Sequence, residues 1–167
     1  MLQEIEVLLI EDDDSDAEMI IRALKKSNLA NQLLQVKDGA QALDFLFCEG
    51  KYQGRQMKSL PKVILIDLKM PRVHGKECLM RIKMNDRTRK IPVVVISSSK
   101  EHLDINECYD LGANGYVVKP VDSVAFDKAI TNLGSYWLVL NEPLQYRLSF
   151  IFKIFLLFQV QIMQNHI

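Results

Sequence analysis

The chain has 167 residues, enough for one domain with a full hydrophobic core and short for two. Apolar residues make up 49% and charged residues 25%, a globular balance. The 21 basic and 21 acidic side chains cancel, so the basic excess of a dedicated nucleic-acid binder is missing and no nucleic-acid partner is expected.

The N-terminus, MLQEIEVLLIEDDD, lacks the basic segment of a signal peptide, and its apolar run is too short for one. Val7 to Ile10 reads as a buried strand, apolar at consecutive positions, and ends on Glu11, Asp12, Asp13 and Asp14. Ala17, Ile20, Ile21 and Leu24 then recur at the spacing of one helical face. Leu33 to Val36 is a weaker strand. After the Asp38-Gly39 turn a helix is expected over Ala40 to Phe47. Val63 to Ile66 forms the third strand and ends on Asp67, followed by a helix from Gly75 to Met84. Val93 to Ile96 forms the fourth and ends on Ser97, followed by a helix from Glu101 to Leu111 with Gly112 just past it. Tyr116 to Val118 forms the fifth and ends on Lys119-Pro120, followed by a helix from Ser123 to Leu140.

Strand and helix thus alternate five times, which implies a parallel sheet with helices on both faces. Right-handed crossovers leave few topologies, and the flavodoxin-like order 2-1-3-4-5 is the common one at this size. That order sets the carboxyl ends of strands one, three, four and five along one edge, where ligands of such sheets bind. One acidic cluster reads more readily as a solvated loop; four polar groups in register at one edge do not.

Glu11, Asp12 and Asp67 at that edge would crowd three carboxylates, and their repulsion would raise at least one pKa. A hard divalent cation resolves the conflict. Mg²⁺ takes oxygen ligands, few carboxylates, several waters and a phosphate oxygen, and Mn²⁺ can substitute. Asp12, Asp67 and the backbone carbonyl of Lys69 are the expected ligands, with Glu11 acting through bound water. Asp67 is then a nucleophile able to form an acyl phosphate. Lys119 would neutralise the phosphoryl group opposite the metal, and Ser97 would donate a hydrogen bond to it.

The stretches VLLIEDDDSDAEMI, VILIDLKMPRVHG, IPVVVISSS and GANGYVVKPVD resemble the receiver domain of two-component response regulators over about residues 4–140. The resemblance implies that Asp67 is the phosphate acceptor and Glu11-Asp12 the acid pair. It implies that Ser97 is the switch hydroxyl, Lys119 the invariant-type lysine and Tyr116 the aromatic switch residue, with a cis bond before Pro120. Phosphorylation would draw Ser97 inward and let the Tyr116 ring fill the vacated space, shifting the face formed by helix four, strand five and helix five. Such a protein is a phosphoacceptor switch that catalyses only its own phosphotransfer and dephosphorylation. No output domain of roughly 60 to 100 residues follows, so output through protein contacts, dimer exchange or phosphate relay is expected.

The segment from Glu49 to Lys62, the YDLGANGYVVKPVD block and the SYW ending of the last helix resemble the single-domain regulators of cyanobacterial and bacterial phytochromes. This implies a histidine kinase donor of the phytochrome type and allows homodimers. The family usually carries Asp before the glycine of its MPxxDG turn, where this chain has His74. Lys69, two residues after the acceptor, is a candidate modulator that would shield the phosphoryl group from water.

Three rivals fit less well. A dehalogenase-like phosphatase needs a second acid where Lys69 stands. A flavin or nucleotide binder needs a phosphate cradle where EDDDSD stands. A pseudo-receiver would not need the full set of Glu11, Asp12, Asp67, Ser97 and Lys119. Cys48, Cys78 and Cys108 lack metal or disulfide spacing and read as reduced thiols of a cytoplasmic protein.

Residues 141–167 read as an apolar extension after the receiver, cut off from the last helix at Pro143. Lys153, Gln159 and Gln161 interrupt it, so it falls short of a membrane span. Packing on the receiver, dimerisation, contact with a membrane surface and a non-native extension all remain open for it.

Overall fold

The computed structural model describes residues 5–29, 32–55 and 60–142. Five strands, β1 (Val7–Ile10), β2 (Leu33–Val36), β3 (Val63–Ile66), β4 (Val93–Ser97) and β5 (Gly115–Val118), alternate with five helices. These are α1 (Asp14–Lys26), α2 (Gly39–Phe47), α3 (Gly75–Met84), α4 (His102–Asp110) and α5 (Ser123–Ser135). The strands pair in parallel in the order β2-β1-β3-β4-β5, the flavodoxin-like arrangement expected from the alternation. Parallel neighbours cannot be joined by a tight turn, so every connection is a helical crossover.

Side chains that alternate along each strand divide the interior in two. Leu8, Ile10, Ile64, Ile66, Val93 and Val95 face one core with residues of α2 and α3. Val7, Leu9, Val63, Leu65, Val94 and Ile96 face the other with residues of α1 and α5. Each Ile or Leu so buried contributes about 1.5–3 kcal/mol, which makes the three central strands a stiff base for whatever their ends carry. The two outer strands differ. β2 is half-buried apart from Val36, and β5 is half-buried throughout. The last strand is thus covered on both faces only in part, with Tyr116 against one core and Val117 against the other.

Local signals start and stop the helices. Asp13 caps α1, its carboxylate accepting from the amides of Ser15 at 2.8 Å and Asp16 at 3.0 Å. Asp38 does the same for α2 through Gln41. The face of α1 is narrower than its periodicity predicts: Ala17, Ile20, Ala23 and Leu24 are buried, while Ile21 lies half-buried at the margin. Gly112, at φ +95°, ends the α4 connection where a side chain would be strained. The helix expected to run from Ser123 to Leu140 instead ends as α5 at Ser135 and continues in a π-helical turn over Tyr136–Leu140. That turn is closed by Asn141 N donating to Tyr136 O at 2.7 Å. The wider turn leaves the consecutive pair Trp137 and Leu138 against the α1–α5 core.

No helix among the described residues is long and apolar enough to cross a membrane. The readings of residues 143–167, including the break at Pro143, lie outside the described residues.

Candidate functional site at the carboxyl edge of the sheet

Backbone pairing carries one residue past the strands. Asp67 N donates to Ile10 O at 3.0 Å, and Lys119 N donates to Ser97 O at 2.8 Å. The first polar residue after each apolar run is thus delivered to the edge by the sheet itself. The carboxylates of Glu11, Asp12 and Asp67 converge there, with one oxygen of each within 4.8 Å of the others. Glu11 and Asp67 are buried, at 2% and 7% exposure, and Asp12 is exposed at the mouth.

The turn after β3 holds the central acid. Lys69 N donates to Asp67 Oδ2 at 2.9 Å, and Gly75 N donates to Leu68 O at 3.1 Å. A Cβ on Gly75 would sit 2.2 Å from the Asp67 carbonyl oxygen, so only glycine lets α3 start this close beneath the acid. The side chains of Lys69 and His74 are exposed. His74 stands at the start of α3 and makes no side-chain cap there.

Lys119 reaches across from β5. Its ammonium donates to Glu11 Oε2 at 2.8 Å and to Asp16 Oδ2 at 2.6 Å, and lies 3.5 Å from Asp67 Oδ1. Burial pushes Glu11 up to about 7, against the opposing pull of Lys119. Burial also raises Asp67, opposed by Lys119 and by the amides of Lys69 and Leu68. For Lys119 burial works against the charge, but the hydrogen bonds to Asp16 and Glu11 outweigh it and raise its pKa. One ammonium thus balances several carboxylates and leaves the pocket short of positive charge. A divalent cation with hard oxygen ligands fits this donor set.

Ser97 is fully buried at the end of β4, and its hydroxyl accepts from Ser99 N at 3.2 Å. Tyr116 on β5 is half-buried, and its hydroxyl donates to Ser99 O at 3.1 Å. Burial raises the phenol's pKa, opposed by hydrogen bonding to Ser97 and Ser99. One expectation is corrected: no peptide bond among the described residues is cis, so the Lys119–Pro120 bond is trans. The trans form is the intrinsically favoured one, by about 0.5–1 kcal/mol for a bond to proline, and Lys119 makes its carboxylate contacts with it.

Five participants were not legible as such in the sequence. Asp16 pairs with Lys119. Ser99 accepts from the Tyr116 hydroxyl at its carbonyl and donates its own hydroxyl to Asp104, and Lys76 on α3 pairs with Asp104 and Glu107 on α4. The spacing of Asp16, four residues after Asp12 in the first turn of α1, was the available signal for the first. Nothing local marks the others, since their partners come from different elements.

A model of the response regulator receiver domain matches residues 7–131. Among curated proteins, the response regulator Rcp1 of Synechocystis sp. is 33% identical over 79% of this chain and 88% of its own length. Its Mn²⁺-bound structure superposes with a TM-score of 0.76 at 32% identity, covering 82% of this chain and 96% of the other. The phosphorylated cyanobacterial phytochrome response regulator RcpA superposes at 0.77 with 31% identity, over 84% and 98% of the two chains. The bacteriophytochrome response regulator RtBRR is 48% identical over 82% of each chain, with a TM-score of 0.67.

Proposed function

The chain belongs to the response regulator receiver family of two-component signalling, and on that premise we propose that Asp67 accepts a phosphoryl group from a histidine kinase with the aid of Mg²⁺. The observation that carries this reading is the convergence of the Glu11, Asp12 and Asp67 carboxylates at one edge of the sheet, with the Lys119 ammonium against the two buried ones, Glu11 and Asp67. Asp12 and Asp67 are the side chains assigned to the ion, with the Lys69 carbonyl as a third ligand. Both oxygens of Glu11 already have partners, Lys119 and the amide of Asp13, which favours its acting through water. The ion these residues would hold would supply positive charge to offset that of the incoming phosphoryl group. Asp67 attacks phosphorus, the donor's phosphorus–nitrogen or phosphorus–oxygen bond breaks, and Lys119 balances the new charge from the other side.

The output we assign is a change in the α4–β5–α5 face rather than chemistry on a further substrate. Ser97 faces the phosphoryl group, and Tyr116 reports its state through the backbone of Ser99. Leu103, Val121 and Val124 on this face are exposed apolar residues of the kind a protein partner covers. The likeness to Rcp1, RcpA and RtBRR supports a kinase of the phytochrome type as donor and leaves a homodimer open. The receiver unit is taken as residues 4–140. Free Cys78 and Cys108 are buried, with the Cys78 thiol pushed up to about 12, which suits the reducing cytoplasm assigned to the protein.

Incubation with Mg²⁺ and acetyl phosphate should add one phosphoryl group to the wild type by intact mass. The reading fails if Asp67→Asn gains the same mass. In the same assay Lys69→Ala should shorten the life of the adduct, because a lysine two residues after the acceptor, with its side chain exposed, would shield the phosphoryl group from water. An unchanged decay rate removes Lys69 as a modulator.

A further inference from the structure

Lys119 has three N–H bonds and three carboxylates around it, and they are not shared equally. Glu11 at 2.8 Å and Asp16 at 2.6 Å receive good hydrogen bonds, while Asp67 at 3.5 Å is left with an ion pair only. Asp16 is itself fixed, since its amide is bound to the Asp13 carboxylate that caps α1. We propose that Asp16 is a positioning residue: it holds the Lys119 ammonium toward α1 and so keeps Asp67 open to the cation and to the phosphoryl donor. The inference rests on the metal and acceptor roles proposed above.

Without Asp16, Lys119 keeps its bond to Glu11 and gains a spare N–H whose nearest remaining charged partner is Asp67. Closing the gap to a charge-assisted bond of about 2.7–2.9 Å would cover an oxygen that the metal needs. The pocket would also lose one negative charge. Both effects weaken cation binding.

The test is Mg²⁺ titration by calorimetry on the full chain, with acetyl phosphate kinetics as a second readout. Asp16→Asn should raise the Mg²⁺ dissociation constant about five- to tenfold, as expected for one charge at short range in a partly screened site. At saturating Mg²⁺ the phosphorylation rate should stay within about twofold of wild type, because the ion then displaces Lys119 from Asp67. Asp16→Glu should regain most of the affinity, since it restores a charged acceptor for Lys119. Asp14→Asn removes a charge from the same turn of α1, where Asp14 pairs with Lys37 instead, and should change the constant by less than about twofold.

The positioning role is overturned if Asp16→Asn binds Mg²⁺ as wild type does, if Asp14→Asn is equally impaired, or if only the saturated rate falls. A wild type that binds no Mg²⁺ overturns the metal reading, and the inference with it. Normal wild-type binding with an unaffected Asp16→Asn overturns the inference alone.

Discussion

Two lysines in this protein are each held by a pair of carboxylates, yet they do different work. Lys119 bridges Glu11 and Asp16 with 13% of its side chain exposed, against a Glu11 that is almost wholly buried. Lys76 bridges Asp104 and Glu107 with 31% exposed, against partners at 29% and 46%. Around Lys119 water is largely excluded, so each charge depends on the others and a missing one is felt across the pocket. Around Lys76 solvent screens the pairs, and the contact serves to tie α4 to α3. The same three-residue arrangement is therefore a site in one place and a brace in the other. Burial, rather than residue type, separates them.

The largest break in this comparison should come from Lys119→Met. It leaves Glu11 and Asp67 buried without their counter-charge and should cost about 3 kcal/mol in metal-free urea melts. Mg²⁺ should restore part of that loss, because a cation can stand in for the ammonium. A variant as stable as wild type without metal would show that the pocket does not depend on its lysine.

Lys76→Met should do much less, lowering Tm by no more than about 3 °C, with the difference shrinking further in 1 M salt. A larger, salt-insensitive loss would place Lys76 with the buried lysine instead.

The smallest effect is a matter of pH. Lys76 first, and then Ser99, hold the Asp104 carboxyl below the usual carboxylate range. A depressed folded-state pKa adds stability above the unfolded value and loses it as pH falls through the folded one. The stability gap between wild type and Asp104→Asn should thus be level above about pH 5 and narrow below about pH 4. A gap that widens in acid would contradict the assignment. The same change leaves one oxygen where Lys76 and Ser99 now use two, so the Ser99 hydroxyl and the Tyr116 environment beside it should shift with it.

Much of the architecture was legible because both of its signals are local. Runs of four apolar residues such as Val7 to Ile10 and Val63 to Ile66 need cover on both faces, and the helical spacing between them supplies it. Glu11, Asp67, Ser97 and Lys119 could be placed at one edge because each directly follows or closes its strand, and parallel register then aligns them. What stayed hidden depends on reach. Ser99, Asp104 and Lys76 acquire their partners only when β5, α3 and α4 are packed and carry no local mark, and Asp16, whose place after Asp12 was visible, shows its pairing with Lys119 only across a separation of 103 residues.

By itself, then, the chain determined its alternating sheet, its acid-lined edge and Asp67 at the centre of it, since chain order and short runs of consecutive apolar residues suffice for these. Tertiary structure alone decided that Lys119 leans toward Asp16 rather than Asp67, that Tyr116 bonds to Ser99, and that β5 is a half-open edge. Those are outcomes of which groups compete for the same hydrogen bonds once water is excluded, and that competition exists only in the folded protein.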